Sequence, residues 1–396
     1  MTRRRTFLLF CLLAGIGAAQ GAAAADSPPV ASTRGGSAEA RDAAERSRID
    51  ADAALQRETE RWHRSSAEAI RLHLRSVAAQ GDARSLLAAA LLWPSDADAL
   101  EHGGPAVRPA QEQRAWFEAA RKARPRDRLV AWVDLVSCGM SGDACDNEAA
   151  MAYLLAEDGD NAAIRLIAAD LAQRRNDTEA LERHWRAAAA ASAYAPYSLE
   201  LKQLLYAAME RAQQPAISSR LAAAQGAEVG LGRPMRAADW NTVWSLVHSA
   251  AALPSYTLPS RRCGAEALAN ASVEEEAHCE RIMALMAEDR DVVIGPMIGL
   301  KNLARMYAGS GDGAHWRERL RALYWVYENA GRLLAGSPAN AADPGEFALW
   351  SMSEGELAAM ERLLAHNGLP LAPPPGWLPG REDLRALIQP PVAPLR

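Results

Sequence analysis

Alanine constrains this chain more than any other residue. It supplies much of a hydrophobic fraction of 49%, while Phe occurs only 4 times. Alanine is the strongest helix former and the weakest core filler, so a chain built on it favours thin, closely packed helices over a sheet sandwich. The bulky apolar contribution then falls to Leu and to 11 Trp. Runs of alternating Val, Ile, Thr and aromatic residues, the signal of strands, are nearly absent. The chain reads as all-α. Its 396 residues have room for one large domain or two ordinary ones.

Residues 1–25 read as a bacterial export signal. Arg3, Arg4 and Arg5 form a positive start, Thr6 to Ala19 is apolar, and Ala23-Ala24-Ala25 is a small-residue cleavage site before Asp26. The apolar run is too short to span a membrane comfortably, and no stop-transfer pattern follows it. No transmembrane anchor is therefore expected after cleavage, and the mature protein is expected in the periplasm or outside the cell. The arginines suit an ordinary Sec signal. Arg4-Arg5-Thr6-Phe7-Leu8 also resembles a twin-arginine signal, which would mean export in the folded state. Cys11 follows Leu9 and Phe10, whose bulk argues against lipidation there.

Without the signal, four cysteines remain: Cys138, Cys145, Cys263 and Cys279. An even number in an oxidising compartment predicts two disulfides. Three pairings are open, and the sequence neighbours Cys138–Cys145 and Cys263–Cys279 close the shortest loops. Their spacings match no zinc ribbon or finger, so no metal is expected. The net charge is −5, with both signs interspersed, and lysine occurs only at 122, 202 and 301. No basic stripe tracks a phosphate backbone, so nucleic acid is not an expected partner.

Residues 26–44, rich in Ser, Pro, Gly and Ala, predict a disordered linker. One long helix follows to about Gln80, with Leu55, Trp62, Ile70, Leu74 and Val77 near one face and Gly81 at its end. Residues 45–200 form an N-terminal helical region. There, breaks at Pro125, Asp158–Asn161 and Asn176-Asp177 separate short apolar-periodic segments. Residues 201–368 form a C-terminal helical region without a clear period. Leu201, Leu204, Leu205 and Ala208 make one stripe, Trp240, Trp244 and Val247 another, and Trp316, Leu320, Leu323 and Tyr327 a third. Ser353-Glu-Gly-Glu356 reads as a capping box opening a helix to about 366. Residues 369–396 form a Pro-rich tail, predicted extended.

A polar break, a first helix, a short turn and a second helix with small residues seven apart resembles a tetratricopeptide unit, over about residues 81–192. Ile164, Ile167, Ala168 and Leu171 fall at first-helix packing positions of that motif. Ala180 and Ala187 fall at second-helix small positions, and Phe117, Ala120 and Pro125 at the end of the preceding unit. The usual aromatics are replaced by Ile164 and Leu171, and a long Pro/Gly/Asp loop at 94–109 interrupts the first unit. The resemblance implies a right-handed, solenoid-like array of antiparallel helix pairs, with the C-terminal helices added to it.

Catalytic signatures are missing. Gly139-Met140-Ser141-Gly142 lacks the spacing of a nucleophile elbow, and Glu276-Ala-His278-Cys-Glu280 does not set two imidazoles on one helix face. Glu274, Glu275 and Glu276 are consecutive, so they fan around a helix and suit its N-terminal dipole better than paired acid–base work. Gly309–Gly313 lacks the Lys-Ser/Thr of a phosphate loop. No cofactor is expected. The candidate binding residues are aromatic: Trp240, Trp244, Trp316 and Trp325, which either line a concave groove or fill a core. The expected function is an exported, non-enzymatic helical-repeat protein that binds a protein or peptide. The alternatives are an envelope enzyme acting on cell-wall material and a helical module that binds a small ligand.

Overall fold

The computed structural model describes residues 38–94, 110–137, 147–250, 253–308, 313–335 and 343–389, with side chains from residue 45. The segment 1–25 read as an export signal, and Cys138 and Cys145, lie outside the described residues. Among the described residues every regular element is a helix, and the sole extended pairing is an isolated bridge between Asn161 and Ala193. None of these helices is long and apolar enough to cross a membrane.

Helix α1 (Ala38–Ala78) starts inside the stretch read as a linker, so residues 38–44 are helical. Ala38-Glu-Ala-Arg-Asp-Ala-Ala44 contains strong helix formers, and their propensity extends α1 outward. Three helix pairs follow: α2 (Ala83–Leu91) with α3 (Gln111–Lys122), α4 (Arg128–Val136) with α5 (Asn147–Glu157), and α6 (Ala162–Arg174) with α7 (Thr178–Ala190). The first helix of each pair opens on an acid or amide cap. Asp82 accepts from the amides of Arg84 and Ser85, Asp127 from Leu129 and Val130, and Asn161 from Ala163. Each cap satisfies donors the helix start would otherwise leave orphaned.

These helices approach closely because their contact faces are small. Ala88, Ala89, Ala90, Ala131, Ala150, Ala163 and Ala169 are all buried, and Trp132, Phe117 and the leucines fill the space between them. On α7 the buried face is Trp185, Ala188 and Ala189, while Ala180 and Ala187 are half-buried. The small residues expected to carry the contact thus sit at its margin, because the indole of Trp185 takes the centre.

Pairing in sequence order stops after α7. Helix α8 (Ser198–Met209) turns back onto α2, placing Leu201 and Leu205 in the first core. The remaining helices are α9 (Ser219–Glu228), α10 (Ala237–Ser249), α11 (Thr257–Arg262), α12 (Ala265–Leu268), α13 (Val273–Ala287), α14 (Ile294–Met306), α15 (Gly313–Ala335), α16 (Pro344–Glu354), α17 (Glu356–His366) and α18 (Glu382–Ile388). Helices α10 and α16 pack on α8, whereas α13, α14 and α15 stack in order, with α13 against α7. Gly299 lets α13 and α14 touch: a Cβ there would lie 2.5 Å from the Met283 carbonyl oxygen.

Helix α6 is the wall between two cores. Ala163, Ile164 and Ile167 face the first, and Ala162, Leu166 and Ala169 face the second with Trp185, Met283, Met286, Leu303 and Leu320. A helix apolar on both sides is read correctly as an interior one.

Two expectations for the C-terminal region are corrected. Ser353 does not open a helix; its hydroxyl donates to the carbonyls of Leu349 and Trp350 in the last turn of α16. The break falls at Gly355, whose φ of 91° few other residues adopt, and α17 starts at Glu356. The tail is not wholly extended either. Helix α18 buries Leu384 and Ile388 in the second core, with Glu382 and Asp383 in its first turn. That amphipathic spacing was present in the sequence and was masked by the surrounding prolines.

Candidate functional site

The four candidate tryptophans belong to three separate clusters. Trp240 and Trp244 come together on α10, with ring centroids 6.3 Å apart. Trp240 meets Trp62 of α1 edge-on at 5.1 Å, and Trp244 lies 4.5 Å from His248. The Trp244 indole donates to the Leu92 carbonyl at 3.0 Å, which ties α10 to the end of α2. Burial pulls His63 and His248 below the ordinary imidazole value, so both flank this stack as neutral rings. A hollow beside Trp62 and Trp240 holds about 10 Å³, room for one water at most and too little for a sugar ring.

Trp316 and Trp325 lie elsewhere, on α15. The Arg319 guanidinium sits 5.3 Å from the Trp316 ring. Trp325 is buried, meets Trp377 of the tail at 5.2 Å and donates to the Pro370 carbonyl at 2.7 Å. These rings clamp the tail onto α15. The aromatic residues as placed are mostly cement between helices.

A larger cleft opens on the array itself. It holds about 270 Å³ between the end of α4, the second half of α6 at the margin of the first core, and the segment 253–255. Leu135, Val136, Ile167 and Leu171 make an aliphatic floor, and Asp170 with Arg174 makes a charged rim. Pro254 and Ser255 close the far side. Ile167 and Leu171 were singled out in the sequence as packing positions, and here they also present surface to a groove.

The Cys263–Cys279 disulfide is present, with both residues fully buried. It pins the end of α11 to α13, and its sulfurs are therefore not free thiolates for a metal. Beside it, the Arg262 guanidinium lies 4.6 Å from the Trp185 ring, holds Glu182 at 2.8 Å and also pairs with Glu275. One arginine so joins α7, α11 and α13.

A buried polar seam, which sequence reasoning missed, joins the two regions. Asn161 donates to Asp158 and to the Ala195 carbonyl, and accepts from the amides of Ala163 and Ala195. It thereby straps the α7–α8 linker across the start of α6. Across the seam, Lys202 of α8 donates to the Asp291 carbonyl at 2.8 Å and reaches Glu356 at 3.4 Å. Glu356 in turn accepts from the Val293 amide. Gly355 makes this junction possible, since a Cβ there would lie 2.7 Å from the Arg290 carbonyl oxygen. Asp289, in the same loop, is 5% exposed, and burial pushes its carboxyl up to about 7. No motif marks these residues; a lone lysine and an Asp-Arg-Asp run look like solvent-facing charge.

Among the described residues, no group of three His, Cys, Asp or Glu side chains is placed to hold a metal ion. No protein-family model, curated protein or solved structure matches the chain.

Proposed function

We propose that this is an exported, non-enzymatic helical-repeat protein that binds a protein or peptide partner in the cell envelope through the cleft between α4 and α6. The observation that carries this reading is the cleft's make-up: an aliphatic floor of Leu135, Val136, Ile167 and Leu171 under an Asp170–Arg174 rim. Such a floor accepts an apolar side chain, and a charged rim orients the chain that bears it. At about 270 Å³ the cleft lies at the small end for enclosed ligands, which favours one inserted side chain over a whole small molecule. Stacked helix pairs supply the rigid surface that such docking needs. The envelope-enzyme alternative has one observation in its favour, the buried Asp289 carboxyl, which does not line this cleft.

The test is affinity purification of the tagged mature protein from its native envelope, with mass spectrometry of what co-elutes. A stoichiometric partner lost in Leu171→Arg supports the reading, provided a melting curve shows the variant folded, since the half-exposed Leu171 also packs on the first core. A central contact of this kind is worth about 2 kcal/mol, roughly thirtyfold in affinity. A clean preparation, or a partner retained by the variant, refutes it. Export is checked separately: N-terminal sequencing of mature protein is expected to begin at Asp26, and an intact Met1 in the envelope fraction would contradict the signal reading.

A further inference from the structure

The seam between the helix pairs and the C-terminal helices contains a carboxyl group that is buried and only half satisfied. Asp289 lies in the loop between α13 and α14. One of its oxygens accepts from the Asp291 amide at 2.9 Å and the other has no hydrogen-bond partner, while the Asp291 and Val292 amides and the Lys202 charge favour the ionised form less than burial disfavours it. Gly295, in the first turn of α14, closes over that second oxygen: a Cβ at 295 would lie 2.9 Å from it. A bulkier residue would have to push the carboxyl aside.

The groups facing this point come from every element packed around it. Tyr194 arrives on the linker between α7 and α8, and Tyr256 on the turn before α11. Beyond their own burial, the two hydroxyls interact with each other and both feel the charge of Asp289. Lys202 reaches in from α8, Asp291 from the same loop, and Glu356 from the start of α17. Lys202 is already engaged by the Asp291 carbonyl and Glu356, and its side chain is 4% exposed. An ionised Asp289 would therefore join Asp291 and Glu356 as a third negative group around one committed lysine. A protonated Asp289 adds no charge to this cluster and spares the unpartnered oxygen the cost of carrying one out of water.

We propose that Asp289 is carried as a neutral acid in the folded protein and serves as a pH-sensitive latch, whose ionisation loosens the seam between the N-terminal helix pairs and the C-terminal helices. This latch is independent of the cleft and of any partner bound there.

The direction follows from linkage. The carboxyl titrates near 3.8 when unfolded and at about 7 when folded, so the folded state holds one more proton between those values. The stabilising contribution is complete below the unfolded value and is lost as pH rises through the folded one. The unfolding constant should rise close to tenfold per pH unit inside that window and level off above it.

The experiment compares urea denaturation of the mature wild type and Asp289→Asn across the window. Asparagine keeps the acceptor for the Asp291 amide and adds a permanent donor. The expected result is an unfolding constant that rises with pH for the wild type relative to the variant, with the variant the more stable above pH 7. Parallel pH profiles for the two proteins overturn the proposal. Infrared spectroscopy of the wild type supplies a readout that does not depend on the variant folding. A protonated-carboxyl band present near pH 6 and gone near pH 8 supports the latch, and its absence at both refutes it. Hydrogen exchange localises the effect: amides of 289–293 and 194–202 should lose protection first as pH rises, and uniform loss across the chain counts against a seam.

Discussion

The N-terminal helix pairs and the C-terminal helices are held by different means. In α2 to α7, local devices dominate: acid and amide caps at Asp82, Asp127 and Asn161, then alanine faces that let partners touch. In α11 to α17, distant residues are tied together by the Cys263–Cys279 disulfide, the Arg262 hub and a core rich in Met283, Met286, Met297 and Met360. Methionine fills irregular space without specifying it well, so that region relies on cross-links to select one arrangement. A repeated local code needs few long-range ties, and a region without a period needs many. Helix α6 serves both, one face in each core.

Four substitutions test that contrast. The largest effect is expected at Trp132, fully buried in the first core. Trp132→Ala should cost about 3–5 kcal/mol in urea denaturation. If hydrogen exchange of α14 and α15 weakens equally, the two regions are one cooperative unit and the contrast fails. The double change Cys263→Ala with Cys279→Ala should cost about 3 kcal/mol, as for a closed loop of this size, and its loss of protection should concentrate in α11 and α13. A loss spread into α2–α5 would blur the boundary.

Asn161→Ala should cost roughly 2 kcal/mol, since it removes both the α6 cap and the strap to Ala195. The smallest effect is expected at Asp127. Asp127→Ala removes the α4 cap and the ion pair with Arg84 for about 1 kcal/mol together, and thermal melting that shows no change would mean neither adds to the pairs.

Much of the first region is legible in the sequence. The breaks at Pro125, Asp158–Asn161 and Asn176-Asp177 do separate helices, and Ile70, Leu74, Ile164 and Leu201 are buried. Legibility fell where one short cue had two meanings. Ser353-Glu-Gly-Glu356 fits a capping box in letters, but the glycine inside it is the break itself. The Pro-rich tail hid α18 because composition outweighed the spacing of Leu384 and Ile388. The candidate tryptophans were correctly placed on helices, yet periodicity cannot say whether a stripe faces a groove or another helix.

By itself, the sequence determined the helical class and the order of the pairs, because these depend on contacts within a few residues. Tertiary structure alone decided that α8 folds back onto α2 and that Trp240 meets Trp62 edge-on. It also decided that Asp289 lies buried within electrostatic reach of Tyr194, Tyr256 and Lys202. Those arrangements join residues far apart in the chain, and burial, which sets the charge state of a carboxyl, is a property of the whole packing rather than of any segment.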